Sequence, residues 1–194
     1  MNTEEVVELY ESTNALLKGH FRLSSGRHSD RYLQSALVLQ YPWYAEKLGQ
    51  ALADKVRDLQ IQAVLSPAIG GLFAGHELAR ALKVRSIFTE RNKETDAMEL
   101  RRGFTVAKGE RVFAVEDIIT TGKSVKEAMQ AVRTLGASVV GAGCIIDRSG
   151  GLQNIFDVPL TSLVTLKVES WEEKDCPLCK KGMPVVKPGS RAKF

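Results

Sequence analysis

Residues 112–124 read Val-Phe-Ala-Val-Glu-Asp-Ile-Ile-Thr-Thr-Gly-Lys-Ser, and no other segment of the 194-residue chain concentrates as much chemistry. Val112, Phe113, Ala114 and Val115 form a short continuous apolar run, the pattern of a strand buried on both faces of a parallel sheet. Beyond the loop, Val125, Ala128, Met129, Val132 and Leu135 recur at helical spacing, so a helix is expected to start near Gly122. The loop Thr120-Thr121-Gly122-Lys123-Ser124 then sits at a helix N-terminus, where unpaired backbone N–H groups and the helix dipole favour a phosphate.

Glu116 and Asp117 precede that anion site and would repel a phosphate unless they serve another part of the same ligand. Adjacent carboxylates accept hydrogen bonds from vicinal hydroxyls or hold a hydrated metal ion. A ribose 5-phosphate satisfies both ends, with its diol on the acids and its phosphate on the loop. The competing nucleotide P-loop, which Gly122-Lys123-Ser124 mimics, requires a glycine at position 117, and that residue is Asp.

The segment resembles the phosphoribosyl-diphosphate signature of the type I phosphoribosyltransferases: apolar residues, two acids, then a Thr-rich loop ending in Thr-Gly-x-Ser. The resemblance implies an α/β fold, a doubly wound parallel sheet carrying a small hood made by the N- and C-terminal segments. It implies a single domain over 1–194, with the core at about 41–149 and the hood at about 1–40 plus 150–194. Within the superfamily, Phe21-x-Leu-Ser-Ser-Gly-Arg27-x-Ser29 resembles the segment before the base pocket of orotate enzymes, with Ser24 where lysine is common. Asp175-Cys-Pro-Leu-Cys-Lys with Lys187-Pro-Gly-Ser-Arg191 resembles the tail of the short prokaryotic ones.

The residues outside the signature agree with one enzyme domain. The length supports a full core without disulfides or structural metal, and 44% hydrophobic with 26% charged residues is ordinary for a soluble protein. No apolar run approaches membrane-spanning length, and the acidic, amphipathic start MNTEEVVELYE is unlike a signal peptide, so a cytoplasmic location is expected. The net charge of +4 belongs to the tail: residues 176–194 hold five Lys/Arg and no acid, and without them the chain stands at −1. That distribution argues against a nucleic-acid partner. Cys144, Cys176 and Cys179 make no disulfide framework, and Cys176-Pro-Leu-Cys179 is read as a reduced turn because no second pair supplies further zinc ligands. His20, His28 and His76 show no metal-site spacing and are assigned none.

Along the chain, a first helix is expected over residues 3–17, ended by Gly19, then extended pieces around a Ser/Gly turn at 20–30, and extended chain from Tyr32 to Leu39. Pro42 opens a helix through Leu59. From there the order is strand 63–65, loop 66–71, helix 72–82, strand 86–88, a charged stretch 90–102, strand 111–115, helix 122–135, strand 138–146 and a short strand near 160–168. Such alternation points to a parallel sheet with ligands at the carboxyl ends of its strands.

Three further loops carry candidate chemistry. In Pro67-Ala68-Ile69-Gly70-Gly71 the glycines let backbone approach a ligand, and the resemblance makes this a pyrophosphate loop, with Gly70 where orotate enzymes often carry lysine. Glu90 to Arg102 corresponds to a mobile catalytic loop, with Arg91 and Lys93 as the counterparts of its cations; no second lysine or histidine of that pattern has a match. In Asp147-Arg148-Ser149-Gly150-Gly151, Arg148 matches the arginine that holds the orotate carboxylate.

The resemblance therefore implies transfer of ribose 5-phosphate from phosphoribosyl diphosphate to orotate, giving orotidine 5′-monophosphate and pyrophosphate in pyrimidine biosynthesis. Glu116, Asp117, Ile118, Ile119, Thr120, Thr121, Gly122, Lys123 and Ser124, with Gly70 and Gly71, would bind the donor; Thr120 and Arg148 would bind orotate. Lys93 and Arg91 would neutralise the leaving group across a homodimer interface. Mg²⁺ is the implied cofactor, held through substrate and water near Glu116 and Asp117 with no direct protein ligand. A purine or uracil phosphoribosyltransferase is the nearest rival, which Arg148 disfavours because a neutral base has no carboxylate. A donor-sensing nucleic-acid regulator on the same fold is the rival of another class.

Overall fold

A computed structural model describes residues 1–23, 25–150 and 155–188. Ser24, Gly151 and Arg191, named above, lie outside them. Among the described residues, nine strands form two sheets, one of six strands and one of three.

The chain opens on α1 (Thr3–Ser12), started by a capping box in which Asn2 accepts from the Glu5 N–H and Glu5 accepts from the Asn2 N–H. This helix is shorter than the apolar spacing suggested. Asn14 takes a left-handed conformation (φ 55°), and Leu16 and Leu17 fall instead into β1 (Leu16–Arg22). β1 pairs antiparallel with β2 (His28–Leu33). Chain expected to stay extended to Leu39 turns at Ser35 into α2 (Ala36–Leu39), which buries Val38 and Leu39. α3 (Pro42–Val56) starts on its proline, pre-set for a helical φ, and buries Leu48, Leu52 and Val56.

The six-stranded sheet follows. β3 (Ala63–Pro67) is buried along its whole length. α4 (Leu72–Leu82) leads to β4 (Arg85–Arg91). The charged stretch after it is an antiparallel hairpin with β5 (Met98–Leu100), fastened by the fork of Arg102 on Glu90 at 2.7 and 2.8 Å. Sequence alternation could not show this hairpin, because β5 is three residues long and half-exposed throughout. Next come β6 (Arg111–Ile119), α5 (Lys123–Thr134), β7 (Ser138–Asp147) and β8 (Leu160–Thr165). The order is β5-β4-β3-β6-β7-β8, parallel except for β5. Apolar residues of α1, α3 and α4 fill one face, and those of α5 cover the other. The sheet is doubly wound, as expected.

The chain runs outward from β3 to β4, then returns to lay β6 on the other side of β3. The loops after β3 and β6 therefore leave the carboxyl ends of neighbouring strands on opposite winds, the crevice where open α/β sheets take ligands. The smaller sheet, β1-β2-β9, is completed by Ser170–Trp171 (β9), and α6 (Pro177–Lys180) follows it. Among the described residues no helix is long and apolar enough to cross a membrane.

Candidate active site

The acid pair lies inside β6 rather than in the loop beyond it. Val112 to Val115 are fully buried, and the strand continues through Glu116 and Asp117 to Ile119, whose side chain is also fully buried. Strand geometry sends neighbouring side chains to opposite faces, so Ile119 packs with Val125 and Met129 under α5. Ile118 packs against the cluster formed by α1, α3 and α4. Both isoleucines thus serve packing, and their part in any ligand contact is through the backbone.

Burial raises the pKa of both carboxyls. Desolvation, then repulsion from Asp117, pushes Glu116 up to about 7. Desolvation pushes Asp117 up to about 6 against the pull of the Ile118 N–H and the Ser35 hydroxyl. Neither acid has an ion-pair partner among the described residues. Ser35, fully buried at the start of α2, is also 2.8 Å from the Tyr10 hydroxyl of α1. With Ser35 donating to Asp117, Tyr10 donates to Ser35. Burial raises the tyrosine's own pKa and keeps that proton in place. The sequence reading missed this chain because Tyr10, Ser35 and Asp117 share no local motif.

The anion loop is open. Gly122 precedes α5 with φ 69° and offers no side-chain cap; the Lys123 N–H meets the Thr121 hydroxyl at 3.4 Å, and the N–H groups of Ser124 and Val125 have no partner among the described residues and face a ligand. Thr120, Thr121 and Lys123 are exposed and Ser124 half-buried. Gly122 is required twice over, by its left-handed φ and by Phe156, whose ring carbon would stand 2.7 Å from a Cβ. Gly122→Ala is expected to lower the melting temperature by several degrees, about 2 kcal/mol of lost stability, and to weaken phosphate-ester binding. Thermal unfolding and donor titration check this; a variant matching the parent in both would refute the steric argument.

The loop after β3 meets β6 directly. A Cβ on Gly70 would lie 3.2 Å from Asp117 Oδ1, so this glycine keeps the space before the acid clear. Gly71 has a different reason: its Cβ would press on Pro67 O, Ser66 and Val115 O at 3.0–3.1 Å, so it lets α4 start close to the sheet. The Ala68–Ile69 peptide is cis, and the Ile69 side chain is 81% exposed.

Arg148 follows β7, its backbone N–H donating to Ile119 O at 2.7 Å, which fixes it beside the anion loop. Its guanidinium is half-buried, its Nε is buried without a partner, and desolvation lowers its pKa. A buried guanidinium N–H left unpaired is costly and calls for an anionic ligand.

Residues 38–174 match the phosphoribosyl transferase domain. The chain is 51% identical over 191 residues to the orotate phosphoribosyltransferase of Caldanaerobacter subterraneus subsp. tengcongensis, covering 98% of this chain and 99% of that one. The chain belongs to the orotate phosphoribosyltransferase family. The enzyme of that name from Desulforamulus reducens is 50% identical, with 98% of each chain covered. The crystal structure of orotate phosphoribosyltransferase from Aeropyrum pernix superposes with a TM-score of 0.71 at 28% identity, covering 84% of this chain and 94% of that one.

The two family-derived cations, Arg91 and Lys93, belong to the β4–β5 hairpin. Arg91, at the end of β4, pairs with Glu127 on α5 and with the Asp96 carbonyl, which holds its pKa high. Lys93 is exposed in the turn of the β4–β5 hairpin. His20, His28 and the Cys176/Cys179 pair have no joint spacing in sequence, yet the fold gathers all four, their ligand atoms within 4.8 Å of one another. Only His76, on α4, stays outside the group.

Proposed function

We propose that this orotate phosphoribosyltransferase family member transfers ribose 5-phosphate from phosphoribosyl diphosphate to orotate, in the cytoplasm, as a step in pyrimidine biosynthesis. The observation that carries the reading is Arg148, a half-buried guanidinium with an unpaired N–H beside the anion loop. A carboxylate on the acceptor base would complete it, and orotate has one where neutral bases do not.

The other roles follow from position. The Thr120–Ser124 loop and the first turn of α5 seat the 5′-phosphate, and Glu116 and Asp117 accept from the ribose hydroxyls. The loop through Gly70 and Gly71 takes the diphosphate, and Thr120 adds a contact to orotate. The bond from ribose C1 to the diphosphate oxygen breaks as the orotate ring nitrogen bonds to C1 and gives up its proton to the departing diphosphate, so the positive character at C1 is what the acids stabilise. No protein nucleophile is needed. Magnesium fits the donor set: two carboxyl groups with oxygen donors only and no cationic partner among the described residues, whose charge a bound cation would favour against the burial that raises their pKa values. It would be held through water and substrate near Glu116 and Asp117, and when bound it supplies neutralisation of the diphosphate charge. Lys93, in its exposed turn, would reach the leaving diphosphate, with Arg91 released from Glu127 beside it. A homodimer is consistent with the exposed apolar side chains of Trp43, Ile69 and Phe73.

The test is loss of orotate absorbance with phosphoribosyl diphosphate and Mg²⁺, with uracil, adenine and guanine in parallel. Turnover of orotate alone is expected. Turnover of a neutral base in preference to orotate would overturn the assignment.

A further inference from the structure

We propose that His20, His28, Cys176 and Cys179 form a closed, tetrahedral structural zinc site that fastens the C-terminal segment to the small sheet. His20 and His28 come from β1 and β2, whose antiparallel pairing shifts register between Lys18 and Phe21 and brings the two rings to 4.8 Å between centroids. The cysteines come from a tight knuckle. Cys176 caps α6 and Cys179 lies inside it; then Gly182, at φ 67°, turns the chain back with its N–H on Cys179 O at 2.9 Å. The C-x2-C spacing is that of a zinc knuckle, and the histidines supply the missing half from more than 140 residues away.

The distances fit one metal ion. Cys176 Sγ is 3.5 Å from His20 Nε2, Cys179 Sγ is 3.6 Å from the same atom, and Cys179 Sγ is 3.2 Å from His28 Nδ1. Zinc bonds of about 2.0 Å to nitrogen and about 2.3 Å to sulfur set tetrahedral N and S ligands about 3.5 Å apart. The two ring nitrogens face each other at 2.8 Å and separate by a few tenths of an ångström to admit the ion.

The protonation pattern agrees. His20 Nδ1 is 2.8 Å from the Met183 carbonyl, which can only accept, so Nδ1 carries the proton and Nε2 turns its lone pair to the cluster. This is the outer hydrogen bond that metal-bound histidines use to fix tautomer and ring orientation. His20, His28 and Cys176 are buried, at 3%, 2% and 0% exposure, with Cys179 at the rim. A plain hydrogen-bonded histidine pair needs one N–H and one lone pair, and does not explain two thiols converging on the same point. Two nitrogens and two sulfurs suit zinc and not magnesium, so this site is separate from the acid pair of β6.

The consequence is mechanical. With β9 only two residues long, the smaller sheet is close to a two-stranded hairpin, which is marginal alone, and beyond β9 it meets the tail through the Phe21–Val186 bridge, with the Val186 N–H on His20 O at 2.8 Å and the Arg22 N–H on Val186 O at 2.9 Å. A metal linking residues 156 positions apart in sequence, as His20 and Cys176 are, constrains the unfolded chain strongly as well.

Elemental analysis of the tag-free full-length protein, purified without chelator, is expected to give about one zinc per chain. Cobalt added to the stripped parent should produce the visible d–d and thiolate charge-transfer bands of a tetrahedral N₂S₂ site. Cys176→Ser and Cys179→Ser should each lose the zinc, and chelation of the parent should lower its melting temperature by about 10 °C. If the variants fail to fold, the cobalt spectrum of the parent decides alone. Metal-free parent protein giving no cobalt bands, a Cys176–Cys179 disulfide in the fresh protein, or zinc retained after both cysteines are replaced would each overturn the proposal. None of these readouts depends on which base the enzyme uses.

Discussion

Arg148→Ala is expected to lower kcat/KM for orotate by about 10²- to 10³-fold while leaving the affinity for phosphoribosyl diphosphate unchanged. The size follows from truncating one partner of a desolvated charge pair, which costs about 2–5 kcal/mol. The separation of the two substrates follows from position. Arg148 hangs from the end of β7, whereas the proposed seat of the donor is built by β6 and the start of α5. In the free protein the guanidinium has an unpaired buried N–H and a pKa lowered by burial, so removing it should leave the melting temperature level or slightly raised. Arg148→Lys, which keeps the charge and loses the fork, should recover only part of the activity. Steady-state kinetics against each substrate measures this, and an unaltered KM for orotate in the alanine variant would remove Arg148 from the base pocket.

The second large effect has opposite signs for stability and activity. Folded Glu116 titrates at about 7 and Asp117 at about 6, against ordinary values of 4.5 and 3.8. Across that window the folded chain holds more protons than the unfolded one, so stability falls as pH rises and the cost is complete above the folded values. Glu116→Gln and Asp117→Asn should therefore each raise the melting temperature of the ligand-free protein at about pH 8. The gain is on the order of 2 kcal/mol, or about 5 °C, and it should vanish near pH 4, where the parent carboxyls are already protonated. Turnover in the same variants should drop by about 10²-fold or more, because the ribose loses its anionic acceptors. Melting curves at the two pH values decide the matter; a stability gain independent of pH would show that charge burial is not its cause.

The sequence made the parts of this molecule that obey one local rule legible. Helix 72–82 has the expected bounds because its apolar period, its glycine start and its left-handed Lys83 end all agree. The anion loop was readable because strand, acids, glycine and helix follow one another without interruption. What escaped was non-local or depended on one backbone angle. Asn14 ended α1 early, a change that spacing cannot register. The bond from Ser35 to Tyr10 and the gathering of two histidines with two cysteines join residues that have no reason to be compared until the sheets exist. The family-derived roles of Arg91 and Lys93 rest on correspondence, since the ion pair to Glu127 occupies one and the other stands in solvent.

β3 and β6 are neighbours in the middle of the large sheet, locked in register from Ala63 opposite Val112 to Leu65 opposite Ala114. The loops that rise from them cannot shift against each other without tearing that ladder. The proposed seat for the sugar phosphate is therefore a fixed frame, and adaptation would fall to the periphery: the β4–β5 hairpin at one edge, Arg148 at the tip of β7, and the small sheet. On this reading, a change of acceptor base would be a matter of those margins alone, with the donor's frame left as it stands.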